Sequence, residues 1–252
     1  RLLAALCRQF EQAGVGARQL EIALYRVDGS VDRTAIGTRT IVMAHQLVPT
    51  PSVLGKLYPY ERFDTVIISH YHGDHINGLL KAEKSLAFPN AEILVPAAEH
   101  QYYMDDGNMS RAPKGRIEGV FQNVRRVIQG DVLKRLRTYE MNKDVIPGVL
   151  AVPTPGHTPG HTSHVVSSGN SKVYVQADVT HAPFLFVRNP GWHPFYDQDP
   201  VMAEATRRKV YDMLSAEKML VQGFHYPFPS HGFVEKTGTG YREIPVPWNP
   251  VI

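Results

Sequence analysis

The sequence predicts an α+β protein in which β-sheets are covered by helices in layers. Three observations point there. Expected strands outnumber expected helices. The helices fall between groups of strands. One short run, residues 63–69 (FDTVIIS), is β-branched and apolar along most of its length, the mark of a buried strand.

From the start of the chain, residues 1–13 place Leu2, Leu3, Leu6, Phe10 and Ala13 at helical spacing and stop near Gly14 and Gly16. The apolar stretch 2–7 is too short for the core of a secretory signal. Residues 21–27 and 40–44 read as strands, parted by the turn-like Asp28-Gly29-Ser30. Residues 45–62, rich in proline and tyrosine, fit neither element well. The buried strand 63–69 follows, then a loop of histidines and a helix from about 76 to 85. A strand is expected at 91–96 and a helix at 97–104. Another strand, 148–152, runs into Pro153-Thr154-Pro155-Gly156. Residues 162–168 and 172–177 alternate as paired strands do, and Ser168-Gly169-Asn170-Ser171 supplies hairpin turn chemistry. Residues 200–217 form a helix with Met202, Ala205, Val210, Met213 and Leu214 on one broad face. A strand at 219–223 and a hairpin over 232–246, turning at Thr237-Gly238-Thr239-Gly240, follow.

A chain of 252 residues can bury a substantial core without disulfide or metal staples, and the expectation is a single domain over 1–252. Its 43% hydrophobic and 20% charged residues are ordinary for a soluble globular protein. A net charge of +3 with no long basic run gives nucleic-acid binding no support. No apolar run approaches a membrane span. The expected partner is therefore a small-molecule substrate. Cys7 stands alone, which suits cytosol and periplasm alike. Twelve histidines are the unusual number, because histidine is a common metal ligand.

Four of those ligand types fall in six residues at His70-Tyr71-His72-Gly73-Asp74-His75, directly after the buried strand. Alternate residues leaving a strand point to one side, so His70 and His72 can converge on one ion. Gly73 then turns the chain, so Asp74 and His75 can face a neighbouring position. A solvated polar loop is the plain alternative, and four ligand types in six positions leave it little room. A second segment, Pro155-Gly156-His157-Thr158-Pro159-Gly160-His161, also ends a strand; on its own it reads more readily as a plain turn with surface histidines. Asp178 follows the strand 172–177 and His225 follows 219–223. Alone, each reads as a cap or a structural residue. Their shared placement at the C-terminal ends of strands is the stronger signal, since loops at a sheet edge are where sites are built.

In this order and at these separations, the segments resemble the metallo-β-lactamase superfamily, over about residues 40–246. The resemblance implies a four-layer αβ/βα sandwich, two mixed β-sheets packed face to face with helices outside. It implies two divalent metal ions, one held by His70, His72 and His157, the other by Asp74, His75 and His225, with Asp178 bridging. His161 matches a histidine that is not a ligand. A bridging Asp178 is similar to glyoxalase-II-like, lactonase and methyl-parathion-hydrolase-like enzymes rather than to true β-lactamases. The stretches around Asp178–His181, Ala205–Arg208 and Gly223–Pro229 look most like the methyl-parathion-hydrolase group, many of them exported; a bacterial periplasmic or secreted location is slightly favoured over a cytoplasmic one. Where lactonases carry a catalytic Tyr, this chain has His181. Residues 1–60 match the family poorly, with Ala44-His45-Gln46 where an Asp-Thr-Gly-like turn is usual.

Nitrogen and carboxylate ligands suit Zn²⁺ first, and Mn, Fe or Co as well. Such ions acidify bound water and polarise a carbonyl or phosphoryl oxygen. Asp74 is expected to orient the nucleophile; His181 is expected to protonate the leaving group or to position the substrate, or else to serve as structural support. Phe184, Phe186, Trp192, His193, Phe195 and Tyr196, with Tyr226 and Phe228, either line an apolar pocket or pack a core or homodimer interface. The expected activity is hydrolysis of lactones, carboxylic esters or phosphotriesters. The alternatives are a β-lactamase, against which Asp178 counts, and a non-catalytic metal-binding scaffold, which would usually have lost ligands.

Overall fold

A computed structural model describes residues 40–43, 60–227 and 230–246. The helix expected at 1–13, the strand at 21–27 and Phe228 lie outside the described residues. The chain divides into two compact units, Arg1–Tyr139 and Glu140–Ile252.

In the first unit the described strands are β1 (Thr40–Met43), β2 (Phe63–Ile67), β3 (Glu92–Pro96) and β4 (Leu136–Tyr139), paired in parallel in that order. A parallel sheet is covered on both faces, which is why Val66-Ile67-Ile68 at the end of β2 and Ile93-Leu94-Val95 in β3 read as continuous apolar runs. Val66, Ile67, Ile68, Ile93, Leu94 and Val95 are all buried. The helices are α1 (Gly73–Ile76), α2 (Ala97–Met104), α3 (Asp106–Arg111), α4 (Arg116–Val127) and α5 (Gly130–Arg135). The apolar stripe of α4, Phe121, Val124 and Val127, enters one core with Tyr71, Ile76 and Tyr103. The Tyr139 hydroxyl donates to the Ile68 carbonyl at 2.8 Å and so fixes the chain just before the histidine segment.

The helix expected from 76 to 85 does not form. A single turn, α1, is followed by a 3-10 turn at Asn77–Leu79, and Leu80 then bridges Leu86. The Lys81 and Ser85 backbones close that loop at 2.9 Å, with Lys84 left-handed at φ 67°. Asn77-Gly78 are weak helix formers, and Leu79 and Leu86 gain more as core and bridge residues than a short surface helix would return.

The second unit carries β5 (Asp144–Ile146), β6 (Val149–Pro153), β7 (Thr162–Ser168), β8 (Ser171–Val175), β9 (Leu220–Gln222), β10 (His231–Thr237) and β11 (Gly240–Pro245), in the spatial order β11-β10-β9-β8-β7-β6-β5. The hairpins expected at 168–171 and 237–240 both form. Strand β7 is antiparallel to β6 and to β8, and β8 is parallel to β9. Strands β6, β8 and β9 therefore run the same way and end at one edge. Two helices, α6 (Pro183–Phe186) and α7 (Pro200–Glu217), belong to this unit. The buried face of α7 is Ala203, Arg207, Val210, Tyr211 and Leu214, whereas Met202 and Ala205, expected inside, are exposed. The difference comes from Arg207, which an apolar-pattern reading cannot count as a core residue. Among the described residues no helix is long and apolar enough to cross a membrane.

Candidate metal centre

In the first unit, the donors leave the end of β2. The Ser69 hydroxyl hydrogen-bonds His70 Nδ1 at 3.1 Å, so Nε2 is the nitrogen that would face an ion. The His70 ring lies 4.9 Å from that of His72 and 4.0 Å from that of His75. The amides of His75 and Ile76 both return to the His72 carbonyl, at 3.0 and 3.2 Å. This tight turn sets Asp74 Oδ2 at 3.6 Å from His75 Nε2. His70 and His75 are buried, while the Asp74 side chain is 44% exposed. Tyr71, between the histidines, goes into the core: its amide donates to the buried Glu99 carboxylate at 2.9 Å and its hydroxyl pairs with His100 at 2.8 Å.

The second unit gathers its donors from the shared edge of β6, β8 and β9. Gly156 sits at φ 128°, and a Cβ there would collide with the Ala203 backbone of α7. Only glycine lets this turn dock on the helix. The Gln198 and Asp199 amides fasten it, donating to the His157 and Gly156 carbonyls at 3.1 and 2.9 Å. Ala177, left-handed at φ 50°, turns Asp178 out of the end of β8. The Asp178 amide donates to His161 Nε2 at 3.1 Å, and His161 Nδ1 pairs with the Thr154 hydroxyl at 2.8 Å. His161 thus supports the turn from beneath.

Three imidazoles converge on Asp178. His157, His181 and His225 each bring Nε2 to 3.3 Å from Asp178 Oδ2. The donor atoms of His157, Asp178 and His181 all lie within 4.8 Å of one another. His181 stacks on His225 with ring centroids 4.7 Å apart. Burial by itself pushes His157 down, but hydrogen bonds to Asp178 and Asp197 outweigh it and raise the group to about 9. Burial holds His181 below the usual histidine range, and Asp178 offsets this only in part. A buried cluster of carboxylate and imidazole that retains a proton near neutral pH is the donor chemistry a divalent cation takes over by displacing that proton. The residues present therefore fit such an ion.

The expected pocket residues divide. Phe184 stands exposed on α6, and Trp192 and Phe195 on the loop that follows it, Phe195 by 81%. Phe186 is half-buried beneath the Arg207 guanidinium. Tyr226 does not face a pocket from the surface; it is buried in the core with Tyr211 and Val210, its ring filling the space beside Gly223. Tyr196, from the same aromatic stretch, lies 4.2 Å from the His181 ring. Two further residues carry no sequence signal of their own. Asp197, two positions before the N-cap Asp199, reads as loop, and Arg207 reads as surface. Both are buried, and Asp197 accepts a hydrogen bond from His157 Nδ1 at 2.9 Å.

Comparison with known proteins places these segments in context. The model of the metallo-beta-lactamase superfamily matches residues 58–221. An N-acyl homoserine lactonase from a Bacillus species is 28% identical over 158 residues, covering 62% of this chain and 53% of the relative. The chain thus spans about half the length of the lactonases it matches. The anti-Pycsar protein Apyc1 of Saccharibacillus brassicae is 25% identical over 193 residues, covering 71% of this chain and 74% of the relative. Among solved structures, AbOPH, a hydrolase in the beta-lactamase superfamily, aligns with a TM-score of 0.75 at 25% identity, over 94% of this chain and 78% of its own. The dizinc quorum-quenching lactonase AidC aligns with a TM-score of 0.75 at 24% identity, over 93% and 78%.

Proposed function

Since the chain belongs to the metallo-β-lactamase superfamily, we propose that it is a hydrolase using two divalent metal ions to cleave small lactones, carboxylic esters or phosphotriesters. The observation that supports this best is the convergence of three imidazole Nε2 atoms on one buried oxygen of Asp178. The ligand assignment follows the family pattern: His70, His72 and His157 for one ion, Asp74, His75 and His225 for the other, and Asp178 shared. Zn²⁺ suits this mixture of nitrogen and carboxylate donors, with Mn, Fe or Co as substitutes. When bound, the ions supply Lewis acidity, which acidifies water and polarises the substrate oxygen under attack.

The chain's own groups do the rest. Asp74, the carboxylate of the histidine segment and 44% exposed, accepts a hydrogen bond from the attacking water and aligns it. His181, kept neutral by burial, donates a hydrogen bond that positions the substrate, a role better matched to its lowered pKa than proton donation from an imidazolium. Phe184, Trp192, Phe195 and Tyr196 take the apolar part of the substrate and exclude water from it.

Elemental analysis combined with a substrate panel tests the proposal: an aryl ester, a lactone, paraoxon and nitrocefin, each before and after chelation. About two metals per chain with chelator-sensitive ester, lactone or phosphotriester turnover is the expected result. Turnover of nitrocefin alone would redirect the reading to β-lactam hydrolysis. A chain inert to the whole panel after metal is restored would refute it.

A further inference from the structure

We propose that Asp197, held by Arg207, is the positioning residue that sets the tautomer of His157, and that the same arginine anchors the aromatic loop. The inference rests on the metal-dependent reading for its consequence, though not for its geometry.

Arg207 lies on the buried face of α7 and is 1% exposed. Burying a guanidinium costs heavily unless its donors are met. Here Nε donates to the Val179 carbonyl at 3.1 Å, and one terminal nitrogen donates to the Pro190 and Trp192 carbonyls at 2.7 and 3.2 Å. The other donates to Asp197 Oδ2 at 3.0 Å. These acceptors belong to three separate segments: the turn that follows Asp178, the loop carrying the exposed aromatics, and the approach to α7. Holding them together takes several donors in a fixed fork, which Arg has and Lys lacks.

The second oxygen of Asp197 faces His157 Nδ1 at 2.9 Å. A carboxylate only accepts, so Nδ1 carries a hydrogen toward Asp197, while Nε2 faces Asp178 Oδ2 at 3.3 Å, the side on which a cation would displace a proton and take the lone pair. Arg207 contributes twice. It neutralises a buried carboxylate, and by occupying Oδ2 it keeps Asp197 from competing as a ligand itself. Asp197→Asn reverses the arrangement at almost unchanged volume. Arg207 needs an acceptor, so the amide oxygen turns to it and the amide nitrogen faces His157. Nδ1 must then accept, and the hydrogen moves to Nε2, the atom required for ligation.

The test uses the full chain with ¹⁵N-labelled histidine. In zinc-supplemented buffer, imidazole nitrogen shifts report which nitrogen of His157 carries the hydrogen. The wild type should show Nδ1–H and Asp197→Asn should show Nε2–H. Zinc titration against a competing chromophoric chelator should show one of the two equivalents weakened about 10–100-fold in Asp197→Asn and the other unchanged. Arg207→Lys keeps a cation for Asp197, so zinc affinity should hold while chymotrypsin cleaves the loop at Phe184–Phe195 several times faster. An Nε2–H tautomer in the wild type overturns the proposal without any variant. So does an Asp197→Asn protein with the wild-type tautomer and both zinc equivalents intact, and an unchanged cleavage rate in Arg207→Lys overturns the loop anchor. A wild type that takes up no zinc yet shows the tautomer switch would refute the metal-dependent function and leave the positioning role standing.

Discussion

At Asp178 one carboxylate oxygen meets three imidazoles, an arrangement that is unstable as bare anion and lone pairs and stable around a cation or a shared proton. Asp178→Ala should therefore lower bound metal and cut hydrolysis by at least ~100-fold even in excess zinc, the upper range of what removing a mere supporting residue costs. Paired metal analysis and initial rates check this. His164 in β7 gives a separate prediction. Burial pushes its imidazole down from 6.5 to about 3, so the folded chain keeps it neutral where the unfolded chain takes up a proton. Its stabilising effect is complete above pH 6.5 and is lost progressively as pH falls toward 3. From this group alone, stability at pH 5 should be roughly 2 kcal/mol lower than at pH 7.5, and His164→Gln should flatten that part of the profile in urea unfolding. The candidate ligands were legible as residues because six consecutive positions held four of them. Asp197 and Arg207 were not, because a lone Asp in a loop and a lone Arg on a helix are common on any surface.

The elements that place these residues are strand ends and one helix. The parallel sense of β6, β8 and β9 brings His157, Asp178 and His225 out at one edge, and the alternation and turn residues of the sequence already marked those strands. The turn at Gly156 is seated on α7 with no room for a side chain. Gly156→Ala should lower stability by about 1–3 kcal/mol through backbone strain and overpacking, and reduce metal uptake with it; thermal unfolding and metal content read both. At the other end of α7, Lys218 caps the helix in the left-handed region at φ 49°. Lys218→Gly relieves that strain and should raise stability by about 0.5–1 kcal/mol without altering metal content. Pattern reading failed for the helix at 76–85, where Asn77-Gly78 breaks the turn, and for the face of α7, where a buried arginine stands in an otherwise apolar stripe.

Across the whole chain, the candidate ligands divide between the two units, His70, His72, Asp74 and His75 in the first and His157, Asp178 and His225 in the second. Ions bound by the folded chain and not by the unfolded one stabilise it by mass action, about 2.7 kcal/mol at a hundredfold excess over Kd. Chelation should accordingly lower the melting temperature, and zinc should restore it in a concentration-dependent way; a melt indifferent to metal would count against the ligand assignment. The sequence by itself determined the family, the order of strands that end in donor residues, and the donor types. Each of these is written in local spacing: a strand period, a turn dipeptide, an alternation of histidines. Only the tertiary structure decided that Asp197 meets Nδ1 of His157, that Arg207 stands behind Asp197, and that Tyr226 belongs to the core. Those facts depend on residues far apart in sequence meeting in a space without water. There a charge persists only if its partners are in place, and no local pattern records which partners those are.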